Sequence, residues 1–371
     1  MKKEYFVIAL SFLSCVAHAV TVTSRFEITN KTIDSATIRS TDPTATSMDT
    51  GNGLYLINDK YQDANINILN YGNQQLGFLR NASTIMITMR GQKLGHTFTV
   101  LGKYANSSIS VSPYVASFFR EYINNNGCLT VEPTGDVGFL KTIVYVITSS
   151  SNVTANCTGA TADYGFTPGA VVRAVGINRD FYLDIGRLQA DATYRRVPPD
   201  TYVGSGSFRG EVIKNRVGAG FTPTYINNIT IVKNPYFESV TLPAGDNVFD
   251  TRTVGSTIQG NLVIPYVING QFTPYNTISL QVSSLNGFKL QNNTAGSTTS
   301  IPYSLNTVVG SQRVYPLATT GSGSGTVTIN NLESDSYAIQ GRFNANFSID
   351  KNTAVTGDYS DTLTAIFQIA L

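Results

Sequence analysis

The chain has 371 residues and a formal net charge of +2, with charged residues making up only 13% of it. That balance gives no reason to expect nucleic acid or an anionic membrane surface as a partner. With 32 glycines, 20 tyrosines, 19 phenylalanines and no tryptophan, and with many Thr, Val, Ile and Asn, the composition suits pleated, half-buried surfaces. It predicts an all-β protein, and the length predicts two domains rather than one ordinary sandwich.

Lys2 and Lys3 open the chain, Tyr5 to Val16 form an apolar run, and Ala17-His18-Ala19 supplies an A-x-A cleavage site. Residues 1–19 are therefore expected to be an export signal, with the mature chain starting at Val20. A lipoprotein reading through Cys15 is the weaker one, because Phe12-Leu13-Ser14 fits the leader pattern poorly. The apolar run is too short to span a bilayer, and no later stretch approaches the roughly twenty apolar residues of a spanning helix. Two cysteines remain after the signal, Cys128 and Cys157. An even pair in an exported chain reads as a disulfide. It would close a loop of about thirty residues and contribute roughly 3–4 kcal/mol on the chain-entropy model.

Short alternating runs follow, including Thr84–Met89, Thr97–Leu101, Ser108–Ser112 and Thr142–Thr148, separated by Gly, Asn, Asp and Pro. Such runs suggest sandwiches rather than a parallel sheet with crossover helices. The best helical pattern is Val115–Ile123, long enough for two turns before Asn124-Asn-Asn-Gly127 stops it. Between Val171 and Arg216 the chain gathers arginines, among them Arg187, Arg195 and Arg196. One reading is an ordinary solvated strand face. The other is a docking patch for anionic or polar sugars, in which Arg forks bind acidic groups.

Arg216–Thr224, rich in Gly and closed by Pro, is the most linker-like stretch. It divides a first domain, 20–215, from a second, 225–371. Pro198-Pro-Asp-Thr-Tyr202 through Ile213 before the linker and Thr353-Ala-Val-Thr-Gly357-Asp-Tyr359 through Phe367 near the C-terminus form a weak repeat, the bland alternative being that Tyr commonly follows turns in β proteins. Each is a turn followed by a Tyr and an alternating strand, and a Tyr at such a corner packs its ring inward and hydrogen-bonds nearby backbone. Strands expected in the second domain are Tyr225–Val232, Ser256–Val267, Thr277–Val282, Gly287–Leu290, Ser300–Leu305, Gly325–Ile329 and Tyr337–Ile349, with Gly321-Ser-Gly-Ser-Gly325 a flexible loop.

Catalytic signals are weak. His96 is the only histidine after the signal, and the nucleophile elbow G-x-S-x-G is absent. No zinc spacing and no phosphate loop occur. A paired-carboxylate glycosidase stays open, because scattered acids in a β protein can meet across a cleft.

The last stretch is the most informative. At period two, Leu363, Ala365, Phe367, Ile369 and Leu371 share one face of a strand. A chain that stops at the end of such a strand pairs it with another element of its own or with another chain.

An export signal, two β units, a cysteine pair only in the first, and the Gly357-to-Leu371 strand together resemble the two-domain tip adhesins of bacterial chaperone–usher fimbriae. The resemblance is sharp over 357–371 and architectural elsewhere. It implies two immunoglobulin-like β-sandwich domains, the second an incomplete pilin module completed by a donor strand. A periplasmic chaperone would lend that strand during export, and the next subunit's N-terminal extension would replace it after passage through an outer-membrane usher. Leu363, Ala365, Phe367, Ile369 and Leu371 would form the chaperone and donor-strand interface, with the terminal carboxylate held in the chaperone's basic cleft. The first domain would bind a host glycan or protein receptor, with no cofactor and no enzymatic activity, on a fimbrium at the cell surface. Ala370 stands where the family usually has an aromatic residue, and the pilin-domain disulfide is missing. The rival readings are a minor subunit that binds no receptor and a secreted glycan-active enzyme.

Overall fold

A computed structural model describes residues 19–41, 46–61, 66–69, 75–78, 81–82, 84–112, 119–124, 129–137, 140–147, 157–158, 161–166, 171–209, 213–215, 218–221, 224–310, 313–330 and 338–370. Within 59–82, 105–178 and 209–221, and at 19 and 370, only backbone is described. Those residues are almost entirely β, with one 3-10 turn at Gly186–Gln189 and one helix at Ala192–Arg196.

The N-terminal unit is built on a twelve-stranded sheet. Ala19–Thr29 lies parallel to Thr224–Asn234, which is antiparallel to Asp200–Arg209, which in turn meets Thr84–Gly91. Thr97–Ser112, Val171–Asp184 and Leu54–Tyr61 continue the sheet. Strand alternation decides what is buried. Val20, Val22, Phe26 and Ile28 face inward from the first strand, and Tyr225, Ile229 and Ile231 from its neighbour.

This pairing moves the division between units. Arg216–Thr224 was expected to be the linker and 225–371 the second domain, yet Thr224–Asn234 is a central strand of the first sheet. Inside the supposed linker, Gly218–Phe221 pairs with Ile213–Asn215. The change of sheet comes at Pro235, between Asn234 and Tyr236. A proline has no N–H to extend the ladder, so the strand ends there.

The expected helix at Val115–Ile123 is also corrected. Phe119–Asn124 is a strand, paired with Thr161–Phe166. Aromatic and β-branched side chains at Phe119, Tyr122 and Ile123 suit a paired strand, and tertiary pairing overrides a weak helical pattern. Of the expected export signal, 1–19, residues 1–18 lie outside the described residues, as does Cys128. The backbone of Cys157 pairs with Ala82 in a two-residue ladder.

The second unit is a sandwich. One layer runs Tyr236–Thr241, Thr257–Gln271, Ala338–Asp350, Ser304–Val309, Arg313–Ala318, with Asp250–Val254 along the far end of Thr257–Gln271. The facing layer is Thr326–Ile329, Thr277–Ser284, Leu363–Ala370. Tyr266, Ile268, Leu280, Ile278, Leu305, Phe343 and Ala345 fill the space between them. Of the strands expected here, Tyr225–Val232 belongs to the first sheet and Ser300–Leu305 is split into Ser300–Pro302 and Ser304–Val309; the others are present, shifted by a few residues at the ends. The Gly321–Gly325 loop joins Arg313–Ala318 to Thr326–Ile329, with φ +78° at Gly321 and +65° at Gly325.

The two tyrosine corners match. Tyr202 Oη donates to the carbonyl of Pro198 at 2.6 Å, and Tyr359 Oη to the carbonyl of Val355 at 3.0 Å. Both bonds reach four residues back, and a strand of each unit follows. Tyr202 is fully buried, whereas the Tyr359 bond is exposed. Tyr202→Phe, which strands a buried carbonyl, is therefore expected to cost about 1–3 kcal/mol, and Tyr359→Phe about 1 kcal/mol or less. Urea unfolding of the two variants checks the order; equal costs would show that burial does not separate the corners.

Candidate functional site

Leu363–Ala370 runs antiparallel to Thr277–Ser284, with Ile369 opposite Ile278, Phe367 opposite Leu280 and Ala365 opposite Val282. Thr277–Ser284 has a second neighbour, Thr326–Ile329. Among the described residues Leu363–Ala370 has none, so it is a sheet edge.

Burial across this pair is lopsided. On the core face of the inner strand, Ile278 and Leu280 are 0% exposed and Val282 3%. On the same face of the terminal strand, Leu363, Ala365, Phe367 and Ile369 are only half-buried. The residue types are equally apolar, so the difference lies in the missing neighbour. Opposite them, Val240, Phe249, Ile258, Leu262 and Ile264 are likewise half-buried against the core. The Phe367 ring sits 5.2 Å from that of Tyr266, which is buried. An open ladder beside a row of half-covered apolar side chains is the geometry a further strand completes.

The first unit shows the completed version. After its tyrosine corner, Asp200–Arg209 is flanked on both sides, by Thr84–Gly91 and by Thr224–Asn234. Tyr202 stands opposite Ile231, Gly204 opposite Ile229 and Phe208 opposite Tyr225, and these three partners are buried. In the second unit, the place equivalent to Thr224–Asn234 holds no described strand.

The start of the edge strand is pinned. Asp361 accepts from Ser284 Oγ and Tyr303 Oη, both at 2.6 Å, and from the backbone N–H groups of Asn286 at 3.1 Å and Thr362 at 2.8 Å. Burial, then the Asp361 carboxylate, pushes the Tyr303 hydroxyl well up from its ordinary value. Gly357 lies close to Asn292, and a Cβ there would meet the Asn292 side-chain amide at 2.6 Å, so that side chain would have to shift.

The other residues singled out in the sequence are scattered. Leu371 lies outside the described residues. His96 is half-buried in the turn after Thr84–Gly91, its carbonyl accepting from Gly91 N–H at 2.9 Å. Arg187 is exposed on the 3-10 turn and Arg195 and Arg196 on the short helix. That segment faces the second unit, not a free pole. Gln271 Nε2, from the second unit, donates to the carbonyl of Arg195 at 2.8 Å and more weakly to that of Val197 at 3.3 Å.

Lys233, at the end of Thr224–Asn234, was not singled out, although alternation from Tyr225 through Ile229 and Ile231 points it inward. Its Nζ donates to the carbonyls of Tyr194 at 2.7 Å and Val197 at 2.6 Å, capping the short helix. No carboxylate pairs with it among the described residues. Burial pulls its ammonium down to about 7. An unfolded lysine stays protonated well above that, so the unfolded state binds more protons as pH rises from 7, and stability rises with it. The expected gain between pH 7 and 9 is on the order of 2 kcal/mol, and Lys233→Met removes it. Thermal melts of the two proteins across that range check the sign; a wild-type protein that loses stability relative to the variant would contradict it.

No protein-family model matches the chain, and no curated protein matches its sequence. Several solved structures do resemble it. A structure reported under a chaperone–tip adhesin complex of CFA/I fimbriae biogenesis is 12% identical, with TM-score 0.42, over 81% of this chain and 78% of that one. The adhesive subunit of CFA/I fimbria of enterotoxigenic Escherichia coli is 12% identical, with TM-score 0.39, over 84% and 86%. A structure from the chaperone–tip subunit pre-assembly complex of archaic Csu pili of Acinetobacter baumannii is 10% identical, with TM-score 0.29, over 95% and 98%.

Proposed function

We propose that this chain is a non-enzymatic, exported fimbrial tip adhesin that accepts a strand at Leu363–Ala370. The observation carrying this reading is the contrast on one face of one sheet, with Ile278 and Leu280 sealed and Phe367 and Ile369 half-open. The partners are a periplasmic chaperone during export, an outer-membrane usher, and then the N-terminal extension of an adjacent subunit. Leu363, Ala365, Phe367 and Ile369 meet the donated side chains, and main-chain hydrogen bonds form along the edge. Ala19–Thr29 is already a strand of the first sheet. The first unit is then the part that meets a host glycan or protein on the surface to which the cell attaches. The Cys128–Cys157 disulfide belongs to this reading as a staple of that unit.

Amide hydrogen exchange tests it. Alternate amides of Leu363–Ala370, those not bonded to Thr277–Ser284, are expected to exchange fast in the isolated chain. They become protected in the chain purified with its export partner. Unchanged exchange at these amides would end the strand-acceptor reading.

A further inference from the structure

A polar cavity of about 470 Å³ lies where the two units meet. Its size is that of a small-ligand site. The first unit contributes Lys31, Tyr194, Arg195 and Lys233, the second Tyr236, Glu238 and Gln271 among others. Three cations therefore face one acid.

Two groups in its wall are unusual. Lys233 is 4% exposed and its ammonium lies 4.5 Å over the Tyr194 ring, yet it forms no ion pair among the described residues, although Asp200 stands opposite it in the ladder. Two of its ammonium protons are well bonded. The third has only a 3.5 Å contact to the Arg195 carbonyl, which Gln271 already occupies at 2.8 Å. Tyr194 is 1% exposed, and its hydroxyl has no hydrogen-bond partner among the described residues. A buried cation without an ion pair and a buried hydroxyl without an acceptor are both costly. They line one cavity, and a carboxylate would answer both. The rest of the wall is polar rather than apolar. Asn269 directs its amide N–H groups to Ser239 and Thr241 at 3.0 and 3.1 Å, which leaves its carbonyl oxygen as an acceptor for ligand hydroxyls.

We infer that this cavity is a binding site for a small hydroxylated carboxylate, of the hexuronate class, gripped between the two units. The site is independent of strand donation, because none of its residues lies on Leu363–Ala370.

Charge supplies a signature. Burial lowers Lys233 to about 7, so it is a cation at pH 6 and largely neutral at pH 8.5. Tyr194 and Tyr236 are both pushed up by burial, away from this range. Glu238 raises Tyr236 further while Arg195 opposes it, which places an acid of the second unit and a base of the first beside one hydroxyl. Lys31 is the remaining charged group facing the cavity.

Isothermal titration of the full mature chain, in the soluble form purified from the periplasm, uses glucuronate as probe and glucose as neutral control. Saturable glucuronate binding is expected at pH 6, about tenfold weaker at pH 8.5 as Lys233 loses its charge, with none for glucose. Tyr194→Phe removes a hydroxyl that bonds nothing among the described residues, so the fold stays intact and affinity falls several-fold. Arg195→Gln, on an exposed side chain, lowers affinity as well. No saturable binding at pH 6, equal binding of both sugars, equal affinity at the two pH values, or wild-type affinity in both variants would each overturn the site.

Discussion

Phe367→Asp is expected to abolish co-purification with the strand-donating partner and surface display, while Gln368→Asp preserves both. The two residues are neighbours on one strand and differ in the face they occupy. Phe367 stands opposite Leu280, which is 0% exposed, with its ring against Tyr266. A carboxylate there enters a slot that is apolar among the described residues, at a cost of several kcal/mol. It also faces the side chains of any incoming strand, so it acts on folding and on docking together. Gln368 is exposed opposite Ser279, and a charge there stays in water. Periplasmic pull-down and whole-cell display of the two variants decide the matter. Equal tolerance would show that Leu363–Ala370 is not the assembly edge.

The face of that strand is legible in the sequence, because Leu363, Ala365, Phe367 and Ile369 alternate without interruption. Its half-burial is not, since exposure depends on whether a neighbour exists, which alternation does not encode. The tyrosine corners were legible for the same reason in reverse. A turn followed by Tyr is a local signal, and both bonds close over four residues. The division between units was misread because composition stood in for pairing. Arg216–Thr224 looks like a linker, but Gly and Pro also shape turns within a unit. The parallel partner of Thr224–Asn234 is Ala19–Thr29, some two hundred residues away along the chain. The helix at Ala192–Arg196 is five residues long, too short for a periodic pattern. Its one local sign was Asp191, whose carboxylate accepts from Tyr194 N–H at 2.8 Å as an N-cap. The junction of Lys233, Tyr194 and Gln271 joins three distant segments, and no short motif could announce it.

A strand supplied in the same chain is expected to stabilise the second unit more than any single substitution. The first unit shows the arrangement to copy, with Thr224–Asn234 antiparallel to the strand that follows the tyrosine corner. A flexible turn and an alternating strand of similar length, joined after Leu371, would lie antiparallel to Leu363–Ala370. Its inward side chains would cover Phe367 and Ile369 on one side and Leu262 and Ile264 on the other, all half-buried now. Full burial of an aliphatic side chain is worth about 1.5–3 kcal/mol, so three inward residues give a gain on the order of 5 kcal/mol before ordering costs. The control is the same extension slipped by one residue. Because side chains alternate, the slip turns every apolar group outward and leaves the slot open. Calorimetry of the unextended chain, the extension and the slipped extension separates the cases. The second unit's transition rises only with the in-register strand, and that protein no longer binds the export partner. A rise of equal size with both extensions would mean that added length, not the filled edge, is responsible. No rise with either would mean that the core beside Leu363–Ala370 is already complete.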